Sequence, residues 1–255
     1  MSLTFNRLVL SIFITGALML ACVPVGRGEV VVFDGVTTVQ TPIRITVLTK
    51  GRIFSQGGRL VDIYLDGRHL KNILTGGDGY GYLKYIPQNP GLKEINARSD
   101  ADSSSGLILV MDKSEKAVII DVAGAFKDAI FSKAIREDSR KVVTALSQDY
   151  KIIYLSRYVG QGVSRSWLEQ EDFPNSVILP WQGPESLKSL EKNGVQLYAV
   201  IGSDTVIAAA KNHVAHRYTF EESKDGTIVK DWDEILKLLQ PWMKLCLNQN
   251  LKKKN

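Results

Sequence analysis

Asp121 closes the apolar part of "VIIDVAGAF" (Val118 to Phe126), Ser156 closes "KIIYLS", and Asp204 follows "QLYAVIG" within "GSDT". Each polar residue stands where a strand-like run stops and the chain turns. In a parallel sheet with crossover connections such strand ends share one edge, so the two carboxylates and the hydroxyl are expected together. Phosphoryl chemistry suits such a set. A carboxylate can attack a phosphoryl group only if their mutual repulsion is neutralised by Mg²⁺ and a lysine, with a hydroxyl orienting the oxygens. Each residue also has a plainer reading. Asp121 and Asp204 would cap the helices that follow them, Ser156 would bond its own backbone in a turn, and Lys188 would be a solvated helix residue.

The elements that must position these residues change rhythm along the chain. From Lys116 to about residue 240, strands alternate with helices. "AVIIDV" leads into a helical stretch from about 125 to 148, then come "KIIYLS", a helix from about 163 to 170, "SVILP", "PESLKSLEKNG", "QLYAVIG", "DTVIAAAKNH", "HRYTF" and the helix "WDEILKLLQPWMK". This alternation predicts an α/β parallel sheet with helices on both faces. Residues 24–112 instead read as all-β, with "EVVVF", "IRITVLT", "GRLVDIYLDG", "GYGYLKYI", "KEINARS" and "GLILVMD" set apart by turn signals at sandwich-like spacing. Asp66-Gly67 is a hairpin turn, and "TGGDGYGY" is a second reversal whose glycines supply positive φ. The expected fold is two domains: an N-terminal β-sandwich over 24–112 and the α/β unit over 116–240. The polar "MDKSEK" joins them, and a basic tail over 241–255 ends the chain.

Composition narrows the function classes. With 44% hydrophobic and 23% charged residues the chain is neither disordered nor collagen-like. Lys252, Lys253 and Lys254 supply three of the net +5 charges, and no other basic cluster is interleaved with aromatics, so no nucleic-acid partner is expected. His213 and His216 lie three apart without a third ligand nearby. "GGDGYG" sits between strands and opens no helix, so it is not a dinucleotide fingerprint. Residues 1–22 read as an export signal: Arg7, then the uncharged "LVLSIFITGALMLA", then Cys22. This ending resembles a bacterial lipobox, which implies a lipid on Cys22, attachment to a membrane and a place in the cell envelope. A plain cleaved signal and an uncleaved anchor are the alternatives. With Cys22 lipidated or removed, Cys246 has no disulfide partner.

Two resemblances extend this reading. A strand ending in "DG", the "GGDGYGYLKY" strand, the "PGL" turn and "INARS" resemble bacterial immunoglobulin-like modules. Residues 116–240 are similar to the haloacid dehalogenase-like superfamily, whose phosphatases end their first strand in Asp-x-Asp-Gly-Thr. That similarity implies Asp121 as nucleophile and magnesium ligand, Gly124 as the turn glycine and Ser156 as the phosphate-binding hydroxyl. Asp204 would be a second magnesium ligand, with Lys188 or Lys192 as the phosphate-binding lysine. "YLSRYVGQGVSRSWL" is similar to the lipin-type branch, which acts on phosphatidate or is carried by lipid-transfer proteins. The sequence departs from the pattern at Ala123, where the general acid belongs, and at Ala125, where threonine is usual. Acid/base catalysis at that position is typically worth about 10²–10⁴-fold. Two functions are therefore expected of an exported protein. One is a weak or specialised Mg²⁺-dependent phosphatase, working through an aspartyl-phosphate on a phosphorylated small molecule or lipid. The other is a non-catalytic binding or envelope-structural protein on a degenerate phosphatase scaffold.

Overall fold

The computed structural model describes residues 29–51, 54–100, 102–127 and 135–240. The export segment, Cys22, Cys246 and the basic tail lie outside the described residues. The N-terminal half contains β1 (Glu29–Val32), β2 (Gly35–Thr38), β3 (Ile43–Lys50), β4 (Leu60–Leu65), β5 (Arg68–Leu74), β6 (Tyr80–Tyr85), β7 (Gly91–Ser99) and β8 (Asp102–Met111). They form a three-stranded sheet, β1-β3-β6, and a five-stranded sheet, β2-β8-β7-β4-β5. Between them lies a core that includes Ile45, Val47, Ile63, Ile95, Ile108 and Val110. Asp66 and Gly67 turn β4 into β5 with φ of 48° and 77°. Strands β2 and β5 were not expected. Six of the seven residues of β5 are exposed or carry polar side chains, so the strand lacks an alternating apolar signal.

The second half holds six parallel strands in the order β11-β10-β9-β12-β13-β14. They are β9 (Lys116–Asp121), β10 (Lys151–Ser156), β11 (Ile178–Pro180), β12 (Gln196–Ile201), β13 (His216–Thr219) and β14 (Thr227–Ile228). The helices are α1 (Val122–Phe126), α2 (Ser139–Leu146), α3 (Gln161–Gln170), α4 (Pro184–Lys192), α5 (Asp204–Ala209) and α6 (Trp232–Leu239). Among the described residues no helix is long and apolar enough to cross a membrane. Where one helix was expected from 125 to 148, the described residues hold α1 and α2 as separate helices. The chain leaves α1 at an extended Lys127, which bridges Ile135, and Asp138 takes the left-handed conformation before α2 begins.

Alternation within single strands divides the core. Val118 and Ile120 of β9 join Phe126, Val142, Leu168 and Trp232, whereas Ala117 and Ile119 join Leu187, Leu190, Val206 and Ile207. An uninterrupted apolar run is what a strand covered on both sides requires. The same rule acts at the junction of the halves. Ile108 and Val110 of β8 point into the sandwich, while Leu109 and Met111, with Val36 of β2, enter the cluster that holds Ala117 and Ile119. The "MDKSEK" link is a tight turn in which Asp112 N–H donates to Glu115 Oε2 (2.7 Å) and Ser114 N–H to Asp112 Oδ1 (3.0 Å). One apolar cluster thus spans both sides of the link.

Candidate functional site

The chain lays down β9, β10 and β11 in one direction and then crosses to place β12 on the other side of β9. Crevices in parallel sheets open where the strand order reverses, outside the carboxyl ends of the strands. A cleft of about 320 Å³ lies there. Its walls come from residues that follow four strands: Ala123 and Gly124 after β9, Arg157 and Tyr158 after β10, Ser203 to Thr205 after β12, and Phe220 and Glu221 after β13.

Asp121 lies beneath this cleft with no exposed surface. It stands at the N-cap position of α1 but makes no side-chain capping bond. Its Oδ2 instead accepts from Ser203 Oγ (2.8 Å) and Ser203 N–H (3.3 Å), and Arg157 Nη1 lies 3.5 Å away. The Arg157 guanidinium also donates to Ser203 Oγ, which closes a three-residue network. Asp121 Oδ1 is buried and has no hydrogen-bond partner among the described residues. Two glycines permit this convergence. A Cβ on Gly124 would lie 2.4 Å from Ser203 N, and one on Gly202 would lie 2.7 Å from Asp121 Cβ. Overpacking at such contacts typically costs about 1–3 kcal/mol, so both turns need glycine for the close approach itself.

The other expected site residues divide. Asp204 lines the cleft as an exposed first residue of α5, while Ser203 occupies the N-cap position before it. Ser156 is buried away from the lining. Its Oγ donates to Val159 O and accepts from Ser164 Oγ (2.8 Å), so the hydroxyl braces the turn that presents Arg157. Lys188 extends from α4 to Glu185 Oε1 (2.6 Å) with its side chain 56% exposed, and Lys192 is exposed on the same helix. Neither lysine belongs to the cleft lining; its cations are Lys127, Arg136 and Arg157. Lys127 Nζ lies 5.0 Å over the Trp167 ring, and the Arg136 guanidinium 4.5 Å over Phe220. Among the described residues no three His, Cys, Asp or Glu side chains gather as a metal site would need.

Arg157, Ser203 and Lys127 were not singled out from the sequence. The available signals were the arginine following Ser156 and the serine preceding Asp204. Neither distinguishes a side chain aimed at the site from one aimed at solvent.

No protein-family model and no curated protein matches the chain. Solved structures similar to it cover about a third of its length. An "IG27 protein domain" is 16% identical over 34% of this chain and 95% of that one, with a TM-score of 0.28. Fibronectin(III)-like modules of CbhA from Clostridium thermocellum are 18% identical over 34% and 48%, with a TM-score of 0.26. Domain I10 of titin is 11% identical over 33% and 99%, with a TM-score of 0.27.

Proposed function

We infer that this protein is a non-catalytic, phosphate-ester-binding protein of the cell envelope, built on a haloacid dehalogenase-like scaffold with helices on both faces and preceded by an immunoglobulin-like domain. The observation that carries this reading is the condition of Asp121. A nucleophilic carboxylate must be reachable and must keep an oxygen free to attack. Asp121 has no exposed surface, so its unpartnered Oδ1 is out of a phosphoryl group's reach, and its Oδ2 is engaged by Ser203 and Arg157. Ala123 stands where the acid belongs, so both halves of the phosphatase cycle lack their agent.

Magnesium does not fit this donor set. The ion takes near-octahedral oxygen ligation from one or two carboxylates, waters and substrate phosphate. Asp121 Oδ1 is an orphaned oxygen that could join such a shell. The guanidinium of Arg157, however, already neutralises the same carboxylate from 3.5 Å, and the carboxylates that line the cleft, Asp204 and Glu221, are exposed residues that do not gather with it as a metal site would need. A fixed guanidinium meets a phosphate oxygen without an ion, through charge-assisted hydrogen bonds. Lys127 and Arg136 add positive charge to the same walls, while Asp204 and Glu221 oppose it on the rim. That balance favours a monoester with a neutral or cationic remainder over a polyanion.

Calorimetry with phenyl phosphate tests the reading. Binding is expected with or without EDTA, and Arg157→Ala should weaken it about tenfold or more, the scale of a lost charge-assisted hydrogen bond. Binding that requires Mg²⁺ and survives Arg157→Ala would return the cleft to the phosphatase reading.

A further inference from the structure

We propose that Asp34 is a positioning residue for the cleft: it fastens the β-sandwich to α3 and so fixes the turn that carries Arg157 and Tyr158. Asp34 lies between β1 and β2, and its side chain has no exposed surface. Its Oδ1 accepts from Leu107 N–H of β8 (2.8 Å). Its Oδ2 accepts from Ile178 N–H of β11 (2.7 Å) and from the guanidinium of Arg165 on α3. Asp34 N–H donates to Gln161 Oε1, on the first turn of the same helix, at 3.4 Å. One carboxylate therefore ties the five-stranded sheet, the six-stranded sheet and a helix together.

The polar path continues from α3 to the cleft floor. Ser164 Oγ donates to Ser156 Oγ (2.8 Å), and Ser156 Oγ donates to Val159 O. Arg157 and Tyr158 lie between those two bonded points, and Arg157 reaches Ser203 and Asp121. Among the described residues, neither Tyr158 nor Val159 joins an apolar core cluster. Tyr158 and Val159 are 53% and 51% exposed, and a Cβ at Gly160 or Gly162 would meet no atom within 4 Å. A segment with few packed contacts takes its conformation from the bonds at its ends. Here one end is the strand end at Ser156, and the other is the helix that Asp34 holds.

Hydrogen exchange on the full chain reads this coupling. Arg165→Gln removes the ion pair but keeps both backbone bonds to Asp34, so it should fold; Asp34→Asn replaces an acceptor with a donor and is the stronger variant. Both should speed exchange of the amides from 157 to 164 about tenfold, matching the loss of one charged hydrogen bond, while the amides of β7 and β9 stay protected. Phenyl phosphate affinity should fall severalfold in step. Exchange from 157 to 164 that matches wild type in Arg165→Gln, or acceleration spread evenly over the chain, would overturn the proposal, because a merely structural clasp gives no local signature. Only the affinity arm rests on the phosphate-binding reading. If wild type binds no phenyl phosphate, that reading falls and the exchange pattern alone decides the role of Asp34.

Discussion

Asp34 and Asp121 are both wholly buried carboxylates, and each is met by an arginine from the stretch after β10, Arg165 in one case and Arg157 in the other. They differ in how the remaining oxygen is treated. At Asp34 both oxygens accept backbone N–H groups from different sheets, and the guanidinium completes the set. At Asp121 one oxygen is crowded by Ser203 and Arg157 and the other has no partner among the described residues. Buried polar groups in folded proteins are nearly always paired, so the exception calls for a local explanation. A fully coordinated buried carboxylate is architecture. A half-coordinated one beneath a cleft leaves acceptor capacity that the rest of the fold does not use.

Stability should separate the two carboxylates most. Asp34→Ala leaves two backbone donors and a guanidinium facing a cavity, and removing one partner of a buried pair typically costs about 3–5 kcal/mol. Asp121→Asn keeps the volume and removes a charge whose Oδ1 was unpaired, so the expected loss is about 1 kcal/mol, the size of one net hydrogen bond. Urea unfolding of both variants measures the difference. Equal losses would mean that the two carboxylates do the same work.

The pH dependence of Asp34 is expected to be weaker than the stability loss. Burial raises the carboxyl pKa of Asp34 above its usual 3.8, and Arg165 and the N–H groups of Ile178 and Leu107 only partly offset it. The folded state therefore holds this proton more tightly than the unfolded chain does. Its contribution to stability is complete below the unfolded value and is lost as pH rises through the folded one. Asp34→Asn has no such proton. The stability of wild type minus that of the variant should fall with rising pH across the acidic range and then level off. Asp112, whose pKa is lowered mainly by the Ser114 N–H and hydroxyl, acts in the opposite direction, but it is common to both proteins and cancels in the difference. A difference that grows with pH would show that the ion pair with Arg165 outweighs burial.

Much of the α/β half was legible because its strands announce themselves. "AVIID", "KIIYLS" and "QLYAVI" carry apolar residues on successive positions, as a strand covered on both sides requires, and the runs stop at Asp121, Ser156 and Gly202. Asp121 and the Asp204 turn could be placed at one edge from that pattern alone. The β5 strand was missed because exposure removes the alternation by which a strand is read. Lys188 illustrates a different limit. A lysine three residues after Glu185 on one helix pairs with it locally, a signal that the spacing carries and that the family resemblance passed over. The network of Arg157, Ser203 and Asp121, like the clasp at Asp34, joins residues 36 to 144 positions apart. Such contacts follow from the register of two sheets, and no local window contains them.

The smallest expected effect tests whether Asp121 could act at all. On the phosphatase reading, Ala123→Asp would supply proton transfer to the leaving alkoxide, a contribution of about 10²–10⁴-fold where the rest of the machinery works. Asp121, the carboxylate that reading makes the nucleophile, remains buried with Ser203 and Arg157 on its Oδ2, so no attack is expected to precede the protonation. Turnover of alkyl and aryl phosphates with Mg²⁺ should stay at the level of an Asp121→Asn blank. Adding Arg157→Ser to Ala123→Asp removes the guanidinium and frees one side of the carboxylate. Activity that emerges only in this double variant would identify Arg157 as the group that closed the site. If Ala123→Asp alone raises alkyl turnover above aryl, the cleft is a phosphatase lacking only its acid, and the distinction between Asp34 as architecture and Asp121 as a retired site collapses.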